Sequence, residues 1–144
     1  MTKERWLGLD FGDKTVGVAV SDALGISAQG VETIRRERPD KLRRTLARIE
    51  ELADSYHVAG IVLGFPKNLD GSLGERAQKT LAFKEMLEKR LQLPVVLEDE
   101  RLTTNAAHRA LDEAGIKREN RKQYLDTMAA SLILQNYLDA NRES

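Results

Sequence analysis

The chain has 144 residues, 23 basic and 23 acidic, so its net charge is zero; 41% of the residues are hydrophobic and 32% charged. That is enough for one compact domain with a core, and the balance argues against a protein that coats nucleic acid through bulk charge while leaving room for a local basic face. The absence of cysteine excludes a disulfide scaffold and a thiolate zinc site, no apolar run approaches the roughly 20 residues that span a bilayer, and the start, MTKERW, lacks the apolar stretch of a signal peptide. A cytoplasmic, non-membrane protein forming a single domain over 1–144 is expected.

RWLGLDFG predicts a first strand and TVGVAVSD a second, joined through FGDK as a hairpin. GISAQGVETIRR predicts a third, more polar edge strand. RPDKLRRTLARIEELADSYH predicts a helix opened by Pro39 and Asp40, with Leu42, Leu46, Ile49 and Ala53 as its buried stripe. VAGIVLGF is an apolar run typical of a strand covered on both faces. PKNLDGSLGE follows as a loop, and ERAQKTLAFKEMLEKRL as a second helix. LPVVLEDER is a further buried strand that ends in charge. TTNAAHRALDEAG is a helix with a threonine cap and a glycine stop, IKRENRKQY a polar loop, and LDTMAASLILQNYLDANR the last helix. The order β-β-β-α-β-α-β-α-α gives an α/β fold, an antiparallel meander followed by crossovers, with helices on the faces of a mixed sheet.

Acids stand at three element ends. Asp10 closes the first strand, Glu98, Asp99 and Glu100 close the fifth, and Asp126 opens the last helix. Each has an ordinary reading: a turn acceptor, a solvated strand end, a helix cap. Asp126 also shares a helical row with Ala130, Ile133 and Tyr137, which aims it toward the protein. Open sheets place their sites at strand C-terminal ends, where the three could meet. Carboxylates gathered closely repel one another and resist ionisation, a cost that a divalent cation removes. Mg²⁺ and Mn²⁺ prefer such oxygen ligands, and two such ions roughly 4 Å apart can serve phosphodiester cleavage.

GLDFGDKTVGVAVSD, IVLGFPKNLDGSLGERA, LEDERLTT and DTMAASLIL occur in this order. Together they resemble the YqgF/RuvX family of bacterial proteins, also called pre-16S rRNA nucleases and Holliday junction resolvases. The resemblance runs from about Trp6 to Leu138. One departure is Phe65, where the family often has Leu; it should alter packing and leave the chemistry alone. The resemblance implies a ribonuclease-H-like fold with a five-stranded mixed sheet, Mg²⁺- or Mn²⁺-dependent phosphodiester cleavage, and a role in maturing the 5′ end of 16S rRNA. Carried over by motif, the catalytic and metal-holding acids are Asp10, Glu100 and Asp126. Strand alternation puts Glu98 and Glu100 on one face and Asp99 on the other; Glu100 is favoured and Asp99 stands second.

Substrate contacts are expected from basic residues. Arg35 to Arg48 holds seven basic and two acidic residues, and Lys117 to Lys122 four basic and one acidic. For the first segment a solvated helix face is the preferred reading. The second lies just before Asp126, which makes Lys117, Arg118, Arg121 and Lys122 candidates. Lys14, in the turn after Asp10, and Arg101, beside the acids, join them. The glycines of GFPKNLDGSLGERA could let a sugar-phosphate chain approach, while His57 and His108 have no partners at ligand spacing. With aromatics at 5% of the chain, recognition by backbone and shape is expected over base stacking.

The expected partner is nucleic acid: structured RNA such as pre-16S rRNA or a ribosomal particle, or else branched DNA. Junction cleavage would ask for a homodimer, RNA cleavage for a monomer or homodimer. Two other classes compete. LDFGDKTVGVAV also resembles the phosphate loop of actin-like kinases and ATPases, but 144 residues leave no second jaw to close on ATP. A non-catalytic RNA-binding assembly factor would keep the fold without needing the acids.

Overall fold

The computed structural model describes residues 4–66, 73–100, 103–117, 119 and 121–141, without the side chains of 103–105, 122 and 123. Arg101, Arg118, the side chain of Lys122 and most of the loop after Pro66 therefore lie outside the described residues.

Five strands form one sheet in the order β3-β2-β1-β4-β5. β1 (Trp6–Phe11), β2 (Thr15–Ser21) and β3 (Ala28–Arg35) are antiparallel neighbours; β4 (Gly60–Phe65) and β5 (Val95–Asp99) add in parallel on the other side of β1. The hairpin between β1 and β2 is three residues long and closes with the Gly12 amide donating to the Thr15 carbonyl at 2.8 Å. β3 is the polar edge expected from its sequence. A register shift between Val18 and Ala19 marks a bulge in its pairing with β2.

The strands sort their side chains by alternation. Leu7 and Leu9 of β1, with Val16 and Val18 of β2, pack beneath α1 (Arg43–Tyr56) and α2 (Glu75–Leu91). The stripe Leu46, Ile49 and Ala53 is buried there, with Phe83 and Leu87 from α2. Ala19 and Val62 face the other way, against Ala130, Ile133, Leu134 and Leu138 of α4 (Lys122–Ala140). α3 (Thr103–Glu113) packs on α4. Among the described residues no helix is long and apolar enough to cross a membrane.

Two helix starts differ from expectation. α1 begins at Arg43, not at Pro39 and Asp40. Those two residues lie in a turn closed by Lys41 N–H to the Arg38 carbonyl at 3.1 Å, and the position before the helix is Leu42, which offers no side-chain cap. α4 begins at Lys122, three residues before Leu125, so Asp126 sits inside the helix. The cap reading of Asp126 therefore falls. The α3 glycine stop holds: Gly115 takes φ +77°, a conformation that favours glycine.

Candidate active site

The C-terminal ends of β1, β4 and β5 meet at one edge of the sheet. Parallel pairing sets β4 between the other two, with Leu9 opposite Leu63 and Phe65 opposite Asp99. Asp10 is the penultimate residue of β1. Glu100 lies one residue past β5 and is still pinned to the ladder, its amide donating to the Phe65 carbonyl at 3.2 Å. The two carboxyls, ninety residues apart in sequence, hydrogen-bond to each other across β4. Gly64 makes the crossing possible. A Cβ there would stand 2.5 Å from Oε2 of Glu100, so any larger residue would displace that carboxyl.

α4 brings the third acid. It lies so close on β2 that a Cβ on Gly17, the register partner of Asp10, would come within 1.9 Å of the Asp126 carbonyl oxygen. The buried row Ala130 and Ile133 turns this face to the sheet and Asp126 with it.

The electrostatics follow from burial and like charge. Desolvation is the largest cause of a raised Asp10 pKa; the hydrogen bond from Glu100 offsets part of it, Asp126 adds to it, and Arg76 counters. Glu100 is pushed up to about 8, by desolvation first, then by the charge of Asp10 and the hydrogen bond with it. The pair thus holds a proton across a pH range in which ordinary carboxyls are bare. Of the three acids in EDER, Glu100 is the one that meets Asp10. Asp99 is exposed, and Glu98, raised by desolvation and by Asp99, remains partly exposed.

The three acids approach without closing. Among the described residues, no three acidic or histidine side chains form a group able to hold one metal ion. The expected cluster is thus a touching pair with Asp126 at electrostatic range.

The basic candidates divide. Lys14 and Lys117 are exposed. Arg121 is buried, 4% exposed, and its guanidinium is spent inside the protein. Nε and Nη2 donate to the Ile116 carbonyl at 3.1 and 3.0 Å, Nη1 meets Nδ1 of His108 at 3.1 Å, and Nη2 pairs with Asp112. It braces α3 against the start of α4, so its placement is structural where substrate contact was expected. His108 likewise has a partner that sequence spacing did not indicate. Arg76, which sequence reasoning missed, stands in the first turn of α2 with its charge felt by both Asp10 and Glu100. A signal existed: a cation in a helix's first turn opposes the helix dipole, and α2 starts beside the strand next to β1.

Comparison with known proteins fits this geometry. A 61% identical protein of Agathobacter rectalis, named "Putative pre-16S rRNA nuclease", aligns over 94% of both chains. Relatives of the same name from Lachnospira eligens and a Geobacillus strain are 52% and 51% identical over 96% of this chain and 99% of theirs. Among solved structures, Thermus thermophilus RuvC in complex with a Holliday junction substrate superposes with a TM-score of 0.61 at 16% identity, covering 95% of this chain and 94% of that one, which establishes the shared ribonuclease-H-like fold. The family model of RuvX, described as Holliday junction resolvase, matches residues 4–140, and the chain belongs to that family.

Proposed function

We propose that this chain is a single-domain, divalent-metal-dependent nuclease of the cytoplasm that hydrolyses phosphodiester bonds in structured RNA, with the 5′ end of pre-16S rRNA as its substrate. The observation that carries the reading is the hydrogen-bonded carboxyl pair Asp10–Glu100 at the strand-end edge, with Asp126 and Arg76 in electrostatic reach. The names of the close relatives supply the substrate.

The donor set fits a hard cation. Two carboxyls that share a proton are two oxygen ligands once that proton leaves, and the chain offers no thiolate to compete. Asp10 and Glu100 would hold Mg²⁺ or Mn²⁺, and Asp126 would add a third negative charge from α4. A cation held there would supply charge neutralisation at phosphorus and a more acidic attacking water. Arg76, whose charge acts on the same carboxyls, would bind the scissile phosphate. Asp99 is the reserve ligand, on the exposed side of the strand end. Lys14, Lys117 and the undescribed Arg101, Arg118 and Lys122 would meet flanking phosphates, while Arg121 would act through the helix it braces.

A second reading, cleavage of four-way DNA junctions by a homodimer, is favoured by the family's own description. One experiment separates the readings: purified chain with Mg²⁺ or Mn²⁺, offered a 5′-extended 16S fragment and a four-way junction side by side, with Asp10→Asn as control. Metal-dependent cleavage of the RNA that Asp10→Asn abolishes is expected. Preferential junction cleavage selects the second reading, and RNA binding with no metal uptake selects a non-catalytic assembly factor.

A further inference from the structure

Two clefts meet at Arg36, on the α1–α2 side of the same edge. The smaller, about 260 Å³, is bordered by Phe11, Asp13, Lys79 and Phe83. The larger, about 740 Å³, is lined by five basic residues, Arg35, Arg36, Lys41, Arg43 and Arg44, against Glu37 and Asp40. Arg36, Asp40 and Leu42 belong to both, so the two form one groove. Its near end lies beside the candidate site along the chain, on the opposite face of the sheet: Phe11, packed on Phe83, follows Asp10, and Lys79 lies about one helical turn beyond Arg76 on α2. Its far end is the start of α1.

The groove's charge is only partly offset from within, by Asp13, which pairs with Lys79 at 4.0 Å and acts on Arg36. Residues 35–44 hold six basic and two acidic side chains in a chain of zero net charge. Among the described residues none of those six forms an ion pair, whereas Arg48 pairs with Glu32 and Glu51, and Arg90 with Glu50. α1 opens into the groove with no side-chain cap and no acid in its first turn, so the positive end of its dipole adds to the field. Arg36 is fixed at the junction. Its Nη2 donates to the Gly12 carbonyl at 2.6 Å and its Nε to Pro39 at 3.3 Å; its guanidinium lies 5.0 Å from the Phe11 ring centre, and its Nη1 is buried without a partner. Gly12 is two residues from Asp10, a span of at most about 7 Å.

We propose that this groove binds the phosphodiester backbone of the substrate strand beside the cleavage point. The strand is then held twice, at Asp10–Glu100 where it is cut and along Arg36, Lys41, Arg43 and Arg44 where it is only gripped. The inference rests on the nuclease reading above. The grip is on phosphates, since arginine forks match them bidentately and the groove offers no row of rings for base stacking.

The test separates grip from cut. Arg43→Ala/Arg44→Ala removes two exposed charges of the groove and no residue of the acid pair. Affinity for a 5′-extended 16S fragment, measured in an Asp10→Asn background to prevent cleavage, should fall about tenfold at physiological salt. The salt slope, log K against log[salt], should flatten by about 1.4–1.8. In the otherwise unaltered chain the same pair should raise the half-saturating protein concentration for single-turnover cleavage by about the same tenfold. Unchanged affinity and slope, or no RNA binding by the parent, overturns the groove. Groove-dependent binding by a chain that never cleaves overturns the nuclease reading alone.

Discussion

Two places in this molecule withdraw charge from water, in opposite ways. At the strand-end edge, Asp10 and Glu100 are like groups pressed together, and the fold tolerates them only by keeping a proton between them. At the join of α3 and α4, Arg121 meets Asp112, His108 and the Ile116 carbonyl, a cation surrounded by acceptors. The second arrangement fastens two helices. The first fastens nothing that an apolar pair would not fasten better, since burying like charge works against folding. A feature that opposes stability and is held at the ends of two paired-in strands points to chemistry; one that gives a buried cation its acceptors points to architecture.

Substitutions should therefore cross over. The largest effect is expected from Asp10→Asn: cleavage should drop by about 10²–10⁴-fold, the scale of a positioned proton-transferring or charge-stabilising group. The melting temperature, taken without divalent metal, should hold or rise, because one source of repulsion is gone. Cleavage at parental rate would remove Asp10 from the chemistry, and a collapse in stability would make the pair structural after all.

Arg121→Ala should do the reverse. It strands the Ile116 carbonyl and frees Asp112 and His108, costing about 2–4 kcal/mol in denaturant unfolding. Cleavage per folded molecule should stay within about tenfold, since Asp126 lies more than a helical turn further along α4. Arg121→Lys keeps the charge but loses the fork that serves three acceptors at once, so it should recover less than half the loss. If either variant abolishes cleavage with stability intact, Arg121 touches substrate and the contrast fails.

The same contrast marks what sequence could show. Strand ends are legible because apolar runs stop where charge begins, and ERAQKTLAFKEMLEKRL spans α2 to its observed bounds. Asp10 stood out because nothing in a buried strand asks for a carboxylate. Its contact with Glu100 depends on Gly64, whose missing side chain is a space, and spaces leave no pattern in a linear string. Arg121 resembled its neighbours in KRENRK because a buried brace and a solvated cation are the same letter; only the returning chain of α3 distinguishes them. Pro39 and Asp40 carry the chemistry of a helix start, yet they serve a turn. Residues 122–124 look like loop from composition alone, so the sequence pattern sets Asp126 too near the helix start.

Acidity offers a finer probe of the shared proton. The ordinary glutamate value is 4.5 and Glu100 is pushed up to about 8. Between those values the folded chain holds a proton that the unfolded chain releases. Its contribution to stability is therefore complete below about pH 4.5 and is lost as pH rises through about 8. In chelator, denaturation midpoints should decline across that window, and Glu100→Gln, which cannot titrate, should flatten the decline. Added Mg²⁺ should do the same from the alkaline end, by taking the place of the proton. A parental profile identical to that of Glu100→Gln would mean that the two carboxyls do not share a proton in solution.

The smallest expected effect sets the scale for the others. Arg48 and Glu32 form a two-pronged ion pair between α1 and β3, at 3.0 and 2.7 Å, with side chains 43% and 31% exposed. Opposite charges in good geometry are here still open to water, so a double-mutant cycle should return only about 0.2–1 kcal/mol, and less at high salt. This pair and the Arg121 brace differ chiefly in burial, since both are forked guanidinium contacts between elements. A coupling at Arg48–Glu32 as large as the loss in Arg121→Ala would mean that burial does not decide what such a contact is worth, and the distinction between a brace and a surface pair would have to rest on geometry alone.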